Sequence, residues 1–405
     1  PPTLTFDVPY ELPPTPPKGT IATGLATIKQ VDVAIVVDTT GSMSGSIDNL
    51  RTNLKTSVIP GIAKAIPSVG LAVVDHKDYP IEPHGSDGDF PALVRQTVTP
   101  DVAKAQAALD GLVASGGGDG PEAQIPAMWH TLVGGELRWS GGLLPKHVPP
   151  LGTVGGVDFR PGSLRIVVLV TDVEWHDCDY APGVLAPPCF PTLSKAFVEN
   201  NARFVDLTTT FGTETKADQL SDQTGSNIPA SAFAGTCGGA CCTGVGGAPR
   251  PPTAPGGRCR LNFLHENGKG VSDSIVRAIQ AISLGSTFDV IAQLLDDPSD
   301  AVDATKFVKK VRAMDEGDPL AGCVAHPAKD TDGDGTKDLF VAVPTGMKVC
   351  FEVTPQVNTS VKPTAEDQYF QAILQIMGLP GLVRLDTQTL RFRVPKIGTV
   401  DAGTD

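Results

Sequence analysis

The chain has 405 residues, of which 40% are hydrophobic and 19% are charged, and this composition is typical of a folded protein with two or three domains. Its formal net charge of −13 argues against binding to nucleic acid, because phosphate backbones are bound mainly by clustered Lys and Arg. No uninterrupted apolar run of about 18 residues is present, so no transmembrane segment is predicted. The chain begins with Pro1 and shows no basic-then-apolar leader, so we expect a processed form.

The first segment, residues 1–30, is rich in proline and contains one short alternating run, LTFDV. Proline-spaced extended chain predicts a tether that anchors the protein through its N-terminus. The alternating run predicts instead a strand that is lent to a distant domain. The sequence leaves both interpretations open.

Residues 31–284 alternate strand-like apolar runs with helical patterns, which predicts an α/β domain with a doubly wound, mostly parallel sheet. The predicted strands are VDVAIVV, VGLAVVD, RIVVLVT and ARFVDLT. Apolar spacing predicts helices over residues 47–65, 102–112, 123–132, 193–200, 215–224 and 272–282. Insertions rich in Gly and Pro are expected at residues 140–163, 174–191 and 234–257.

Residues 287–395 show a different pattern, with short alternating runs at close spacing: LFVAVP, KVCFEVTP, YFQAILQIMG, LVRLDTQ and LRFRVP. This pattern predicts a second, all-β sandwich domain, and residues 396–405 follow it as a tail. If the N-terminal run completes this sandwich, the α/β domain is inserted into the β domain.

The cysteines are even in number and fall into three groups, which predicts disulfides paired within each group and an oxidising compartment. The eight are Cys178, Cys189, Cys237, Cys241, Cys242, Cys259, Cys323 and Cys350. A zinc site formed by the middle group with His265 is the alternative, although adjacent Cys241 and Cys242 lack the usual paired spacing. The expected location is therefore secreted or at the cell surface.

Oxygen-bearing side chains follow two of the predicted strands. Asp38, Thr40 and Ser42 come directly after the first strand, and Asp172 follows RIVVLVT. Loops that leave the carboxyl ends of parallel strands converge on one crevice, so these side chains are expected to lie together. Neutral hydroxyls with few carboxylates suit a hard divalent cation such as Mg²⁺. The alternative for DTTGSM alone is the N-cap of a helix.

Five segments, in this order, resemble a von Willebrand factor type A domain, also called an integrin I domain: VDVAIVVDTTGSMSGSI, GLAVVDHKDYP, SGGGDGPEA, RIVVLVTDVEWHD and LSDQTGS. The resemblance covers roughly residues 31–284. It implies a metal-ion-dependent adhesion site that binds Mg²⁺, or Mn²⁺ or Ca²⁺ in its place. Asp38, Thr40 and Ser42 match the family's Asp-x-Ser-x-Ser element with Thr in one hydroxyl position, and Asp172 matches its distal aspartate.

One position departs from the family pattern. The middle loop usually supplies a Thr hydroxyl, whereas this chain has three glycines, residues 116–118, followed by Asp119. We expect Asp119 to ligate the ion, which would weaken its attraction for a partner's carboxylate. The alternative is that Asp119 caps a helix beginning near Pro121. Asp75 and Asp78 are interpreted as solvated turn residues near the site.

A second predicted metal site lies in the β domain, in the segment DTDGDGTKD. Alternate acidic residues with Gly335 at the sixth position match the first half of an EF-hand-like calcium loop. Val341 stands at the twelfth position, so the usual bidentate Glu is missing. We expect structural Ca²⁺ rather than an empty acidic turn, held by Asp330, Asp332, Asp334, Thr336 and Asp338.

The insertion after Asp172 contains three candidate ligand-contact residues, Trp175, His176 and Tyr180. A Cys178–Cys189 bridge would close this segment into a small loop beside the ion, where aromatic side chains often contact partners. The alternative is that Trp175 packs beneath the loop.

These features together predict a secreted or cell-surface adhesion protein that binds a protein or glycan ligand, through an acidic group, at the divalent cation. A structural subunit of a surface assembly or fibre is the alternative. A metal-dependent hydrolase is less favoured, because neither His84 nor His176 lies in a recognisable catalytic motif. We therefore expect no enzymatic activity.

Overall fold

The computed structural model describes residues 3–209, 214–233 and 237–398. Parts of the predicted N-terminal segment, of the third insertion and of the tail lie outside these residues. The chain divides into two compact units, one made of Lys29–Ser286 and the other of Pro1–Ile28 together with Thr287–Asp405. No helix in the described ranges is both long and apolar enough to cross a bilayer.

The strands of the described residues, in chain order, are β1 (Leu4–Asp7), β2 (Thr20–Leu25), β3 (Gln30–Asp38), β4 (Ser68–His76), β5 (Leu93–Thr99), β6 (Leu137–Trp139), β7 (Gly142–Leu144), β8 (Leu164–Val170), β9 (Val184–Leu185), β10 (Ala202–Thr208), β11 (Asn227–Ile228), β12 (Cys259–Arg260), β13 (Asn262–Leu264), β14 (Thr287–Asp296), β15 (Val308–Ala313), β16 (Ala328–Lys329), β17 (Leu339–Pro344), β18 (Lys348–Pro355), β19 (Gln368–Leu379) and β20 (Val383–Val394). The α-helices are α1 (Ser44–Asn53), α2 (Ile59–Ala63), α3 (Val102–Asp110), α4 (Gln124–Val133), α5 (Phe190–Glu199), α6 (Glu214–Gln223) and α7 (Val271–Gly285).

The unit of Lys29–Ser286 is an α/β fold built on one six-stranded sheet, in the order β13-β10-β8-β3-β4-β5. All neighbouring pairs are parallel except β4 with β5, which is antiparallel. β3 lies inside the sheet and is almost wholly buried, which explains its continuous apolar sequence. The carboxyl ends of β3, β4 and β8 therefore open on the same edge of the sheet.

The helices of this unit begin and end close to the residues that apolar spacing predicts. The longest predicted helix, over 47–65, corresponds to α1, a π-helical stretch Leu54–Val58, and α2. α4 begins at Gln124 with Ala123 as its N-cap, and it ends at Val133 with Gly134 as its C-cap, whose φ of 67° suits glycine. Asp119 is therefore not the cap of this helix, and the capping interpretation is wrong.

Two strands of this sheet, β5 and the three-residue β13, were not predicted. β5 pairs with β4 at the sheet edge, with register shifts along the pair. Its residues are mostly half-buried, so its sequence lacks the apolar run of an inner strand. An edge strand of this kind gives little periodic signal.

The other unit contains two sheets, one in the order β1-β20-β19-β14-β17-β16 and one in the order β15-β18-β2. The N-terminal segment supplies a strand to each, because β1 pairs with β20 and β2 pairs with β18. Phe6 of β1 is fully buried and stacks on Phe392 of β20, with ring centroids 5.4 Å apart. This segment is thus a pair of strands rather than only a tether.

Candidate metal centres

The first candidate centre lies where β3 and β8 end. Its members, which we call the strand-end cluster, are Asp38, Thr40, Ser42, Thr171 and Asp172. Asp38 is fully buried, and its Oδ1 accepts hydrogen bonds from the Thr40 amide at 2.9 Å and from the Thr40 hydroxyl at 2.7 Å. Its Oδ2 accepts from the Thr171 hydroxyl at 2.8 Å. A hydroxyl that donates to Asp38 keeps its lone pairs for a cation on its other side.

The outer part of the strand-end cluster faces solvent. Ser42 is exposed, and its hydroxyl donates to Oδ1 of half-buried Asp172 at 3.1 Å. Burial, followed by the negative charge of Asp38, raises the pKa of Asp172. Two carboxylates that repel each other across hydroxyl groups favour a divalent cation between them, and one side remains open for a further ligand.

A glycine loop passes close over the strand-end cluster. The Gly41 amide donates to the carbonyl of Gly116 at 3.3 Å, and the Ser115 amide donates to the carbonyl of Thr39 at 2.9 Å. Gly117 has a φ of 84°, and a Cβ there would lie 2.7 Å from Oε1 of Glu122 and 3.2 Å from Cγ2 of Thr40. Glycine is favoured at this position, because another residue would be strained by the positive φ and would crowd Glu122.

Lys77 holds the glycine loop against the end of β3 by hydrogen bonds. Its ammonium group is buried and donates to the carbonyl of Thr39 at 2.5 Å and to the carbonyl of Ser115. Burial lowers the pKa of Lys77, and the carboxylates of Asp75 and Asp89 oppose that shift. The lysine therefore ties the end of β3 to the start of the glycine loop.

Asp119, which was predicted to ligate the ion beside Asp38, contacts two histidines. Its Oδ2 lies 3.0 Å from Nδ1 of His84, and its Oδ1 lies 3.3 Å from Nε2 of His176. Oδ2 of Asp78 lies 3.3 Å from the same Nε2 atom, and the two histidine nitrogens are 3.1 Å apart. Candidate ligand atoms of Asp78, His84, Asp119 and His176 all lie within 4.8 Å of one another, and we call these residues the histidine cluster.

The histidine cluster is almost closed to solvent. Asp78, His84 and His176 are at most 4% exposed, whereas the side chain of Asp119 is 27% exposed. Oδ1 of Asp78 accepts from the amide of Tyr79 at 2.6 Å, but Oδ2 has no hydrogen-bond partner in the described residues. Burial raises the pKa of Asp78 to about 8. Asp78 is therefore not the solvated turn residue that the sequence indicated.

Asp75 is also buried and also differs from its predicted role. Its carboxylate accepts from the Arg95 guanidinium at 2.8 and 2.5 Å and from the Thr39 hydroxyl. Since Arg95 lies on β5, this ion pair joins the edge strand to β4. Asp75 is thus a satisfied structural acid.

Glu122 was missed by sequence analysis. It is 3% exposed, and its Oε2 has no hydrogen-bond partner in the described part of the chain. Burial raises its pKa to about 10, with the charge of Asp38 as the next contribution and those of Asp78 and Asp119 after it. The pKa of Glu122 is therefore raised by carboxylates of both clusters.

The three predicted ligand-contact residues pack against the protein itself. Trp175 is 2% exposed and packs edge-on against Phe204, with ring centroids 5.9 Å apart. His176 is 3% exposed, and Tyr180 packs on His176 at a centroid distance of 4.6 Å. The surface role of Trp175 and His176 is wrong, because their rings fill space beneath the insertion.

The cysteines form four disulfides within the predicted groups: Cys178–Cys189, Cys237–Cys242, Cys241–Cys259 and Cys323–Cys350. Every cysteine is used, so the alternative zinc site in the middle group is wrong. Burial lowers the pKa of His265, whose Nε2 lies 3.3 Å from the carbonyl oxygen of Thr171. Four disulfides indicate an extracellular location.

The Asp-rich loop, residues 330–338, is exposed and organised by its own backbone. Oδ1 of Asp330 accepts from the Gly333 amide at 2.7 Å, and Oδ2 accepts from the Gly335 amide at 2.8 Å. The backbone hydrogen bond from Gly333 is the main cause of the lowered pKa of Asp330. Candidate ligand oxygens of Asp330, Asp332 and Asp334 lie within 4.8 Å of one another. Asp338 accepts instead from Thr331, at 3.0 Å from the amide and 2.6 Å from the hydroxyl.

Two signals in the sequence point to residues whose place in a metal site was not predicted. Thr171 directly follows the apolar run that forms β8, and the first side chain after such a strand lies at the strand-end cluster. Asp78 and His84 lie in the segment DHKDYPIEPH, in which a buried strand is followed by acids and a histidine. No such signal marks Glu122, because its burial depends on contacts from residues far along the chain.

No family model and no curated protein matches this chain. Solved structures with detectable similarity include a von Willebrand factor type A protein from Catenulispora acidiphila, with 12% identity over 97% of this chain and 75% of that chain and a TM-score of 0.35. Another is proximal thread matrix protein 1 from the mussel byssus, with 11% identity over 68% of this chain and 51% of that chain and a TM-score of 0.34. Likeness at this level carries no argument about function, so function is argued from the geometry.

Proposed function

We propose that this is a secreted or cell-surface adhesion protein that binds an acidic protein or glycan ligand through a divalent cation, Mg²⁺ in the first place, at the strand-end cluster. The observation that supports this most directly is the arrangement around Asp38. A buried carboxylate is held by two threonine hydroxyls, while exposed Ser42 and half-buried Asp172 lie on the outer side.

The electrostatics of this arrangement favour capture of an acidic partner. Hydroxyl ligands are neutral, so a cation beside Asp38 and Asp172 keeps electrophilic character toward a further oxygen. The exposed side at Ser42 gives a carboxylate of a partner access to the ion. Mn²⁺ or Ca²⁺ can replace Mg²⁺ at an all-oxygen site.

In the other unit, we propose that the Asp-rich loop binds Ca²⁺ in a structural role. Its oxygens from residues 330, 332 and 334 converge, and the amide of Gly335 donates to Asp330 across the turn. Cys323 precedes this loop in sequence and Cys350 follows it, and the two cysteines form a disulfide. An ion there would offset the repulsion among the exposed carboxylates.

The adhesion proposal is tested with Asp38→Asn, a change that keeps the shape of the side chain and removes its charge. We expect the full chain to bind one Mg²⁺ at this cluster by calorimetry and to attach to beads coated with a carboxylated polysaccharide in Mg²⁺ but not in EDTA. Asp38→Asn should lose both properties. The matched control is Asp48→Asn, because the side chain of Asp48 is 73% exposed and its ion pair in the described residues is with Arg51 of the same helix.

If Asp38→Asn binds Mg²⁺ and coated beads as well as the unmodified chain does, the proposal is wrong. If Mg²⁺ binding is lost while attachment persists, adhesion does not use this ion, and the proposed function fails even though the metal site stands.

A further inference from the structure

The histidine cluster has the dimensions of a transition-metal site. Nε2 of His176 lies 3.3 Å from Oδ2 of Asp78 and 3.3 Å from Oδ1 of Asp119. Two ligands of a tetrahedral Zn²⁺ ion, each bonded at about 2.0–2.1 Å, are separated by about 3.3–3.4 Å. Both separations match those between two ligands of one tetrahedral ion, and candidate ligand atoms of Asp78 and Asp119 lie within 4.8 Å of each other.

An ionised Asp78 in the histidine cluster needs a cation beside it. Asp78 is fully buried, and within the described residues its only ion-pair contact is His176. Its Oδ2 points into the cluster and has no hydrogen-bond donor there. The second carboxylate, that of Asp119, faces the same point. A divalent cation would neutralise both acids and satisfy the open oxygen atom.

The surrounding groups orient the ligand atoms. The amide of Ala181 donates to Nε2 of His84 at 2.8 Å, so a neutral His84 carries its proton on Nδ1 and donates it to Oδ2 of Asp119 at 3.0 Å. Nδ1 of His176 lies 3.5 Å from Oδ1 of Asp179, on the side of the ring away from Asp78 and Asp119, while Nε2 faces these two acids. Such outer partners fix ring orientation and raise ligand basicity in metal sites.

We propose that the histidine cluster binds one divalent transition-metal ion, with Zn²⁺ preferred, through Asp78, Asp119 and His176. His84 acts as a positioning residue that holds Asp119 by a hydrogen bond. Imidazole and carboxylate ligands suit Zn²⁺, whereas Mg²⁺ takes oxygen ligands and retains water. Partly exposed Asp119 gives the ion its path of entry, and a water molecule completes the coordination.

Such an ion would join three loops of the α/β unit. Asp78 and His84 follow β4, Asp119 precedes α4, and His176 lies in the insertion that carries the Cys178–Cys189 disulfide. A contact between backbone groups already links two of these segments, since the amide of His176 donates to the carbonyl of Glu122 at 3.0 Å. The ion would therefore act as a staple that holds the disulfide-bearing insertion beside the strand-end cluster. This role does not depend on adhesion.

The test uses the full chain stripped with a chelator and then titrated with Co²⁺ in saturating Mg²⁺, because tetrahedral Co²⁺ absorbs visible light and Zn²⁺ does not. We expect one equivalent of Co²⁺ to bind, with displacement by Zn²⁺. Asp78→Asn and His176→Gln should each weaken binding by about 100-fold or more, while His84→Gln should weaken it by about 10-fold to 100-fold as expected of an outer partner.

Two variants serve as controls. His147→Gln removes a partly exposed histidine that pairs with Asp158, and it should bind Co²⁺ normally. Asp38→Asn should also bind Co²⁺ normally, which separates this proposal from the adhesion site. Circular dichroism of each chelated variant checks folding, and Asp78→Asn is chosen because it preserves side-chain shape.

The proposal is overturned if the full chain binds no Co²⁺ or Zn²⁺ in saturating Mg²⁺. It is equally overturned if folded Asp78→Asn and folded His176→Gln bind Co²⁺ as tightly as the unmodified chain. X-ray absorption of the Zn²⁺-loaded protein gives a further check, since one imidazole and several oxygens are expected, and a sulfur ligand would contradict the assignment.

Discussion

The strand-end cluster and the histidine cluster follow neighbouring strands, β3 and β4, yet their chemistry differs. Each contains two carboxylates, Asp38 with Asp172 and Asp78 with Asp119. In the first, neutral hydroxyls surround the acids and the outer side is exposed at Ser42. In the second, imidazoles surround the acids and three of the four residues are at most 4% exposed.

The difference indicates that the two proposed ions at this sheet edge would have different roles. Hard oxygen ligands with an open side suit an ion that receives a partner's carboxylate. Imidazole ligands in a closed pocket suit an ion that holds loops together. We expect metal selectivity to follow from the neutral ligands and their exposure, because the number of carboxylates is the same in both clusters.

The largest expected effect comes from Asp119→Asn. This variant tests whether Asp119 belongs to the histidine cluster or to the strand-end cluster. We expect this change to lower Co²⁺ affinity by about 100-fold, since Asp119 contacts both histidines, and to leave Mg²⁺ affinity within about twofold. Calorimetry with each ion measures both effects. A large loss of Mg²⁺ affinity would instead restore the sequence-based expectation that Asp119 ligates the ion beside Asp38.

Removal of the Cys178–Cys189 disulfide by a double change to serine should have a smaller effect. The insertion that carries His176 would gain freedom in the metal-free state, so ordering it around Co²⁺ costs more conformational entropy. We expect Co²⁺ affinity to fall by about 10-fold, with Mg²⁺ affinity unchanged. The matched control is the double serine variant of Cys323–Cys350, which lies in the other unit. Equal losses of Mg²⁺ and Co²⁺ affinity would show that the two clusters are not independent.

The two clusters also differ in how far sequence alone can locate them. Asp38, Thr40, Ser42 and Asp172 were placed together because each follows a recognisable apolar strand, and the structure brings them to one edge. The order of elements in the α/β unit was predictable for the same reason. β5 and the histidine cluster were not, because they depend on an edge strand and on loops whose packing leaves no periodic signal.

Sequence alone also did not predict which loop residues are buried. Trp175 and His176 have residue types that often occur at binding surfaces, yet both are buried beneath the insertion. Glu122 has the residue type of a surface acid, yet its carboxyl group is almost inaccessible. Whether a loop residue faces inward depends on neighbours such as Phe204, which lie far away in sequence.

Glu122 allows a test of electrostatic linkage between the two clusters in the chelated protein. Its pKa is raised to about 10 in the folded chain, from an ordinary value of 4.5. The folded state therefore binds a proton that the unfolded state releases above about pH 4.5, and stability falls as pH rises toward 10. Glu122→Gln removes this loss, so its thermal midpoint in EDTA should exceed that of the unmodified chain by about 2 °C or more at pH 8.

At about pH 3 the difference in thermal midpoint should be close to zero, because Glu122 is then mostly protonated in both states. The control is Glu174→Gln at a nearby exposed position, which should show no pH-dependent gain. A Glu122→Gln variant with the same pH dependence as the unmodified chain would show that Glu122 is not buried in its neutral form.

The last test concerns the Asp-rich loop, which extends the comparison to an exposed site whose carboxylates are held by backbone amides. Asp334→Asn removes one charge, while its side-chain oxygen can still accept from the Thr336 amide at 2.6 Å. We expect Ca²⁺ affinity to fall by about 10-fold from an ordinary extracellular Kd of about 10⁻⁴–10⁻³ M, without loss of Mg²⁺ or Co²⁺ binding elsewhere. Asp338→Asn is the matched comparison, because Asp338 is bonded to Thr331 and should contribute less. Equal losses in both variants would place Asp338 among the direct ligands, and no loss in either would leave the loop a hydrogen-bonded turn that needs no ion.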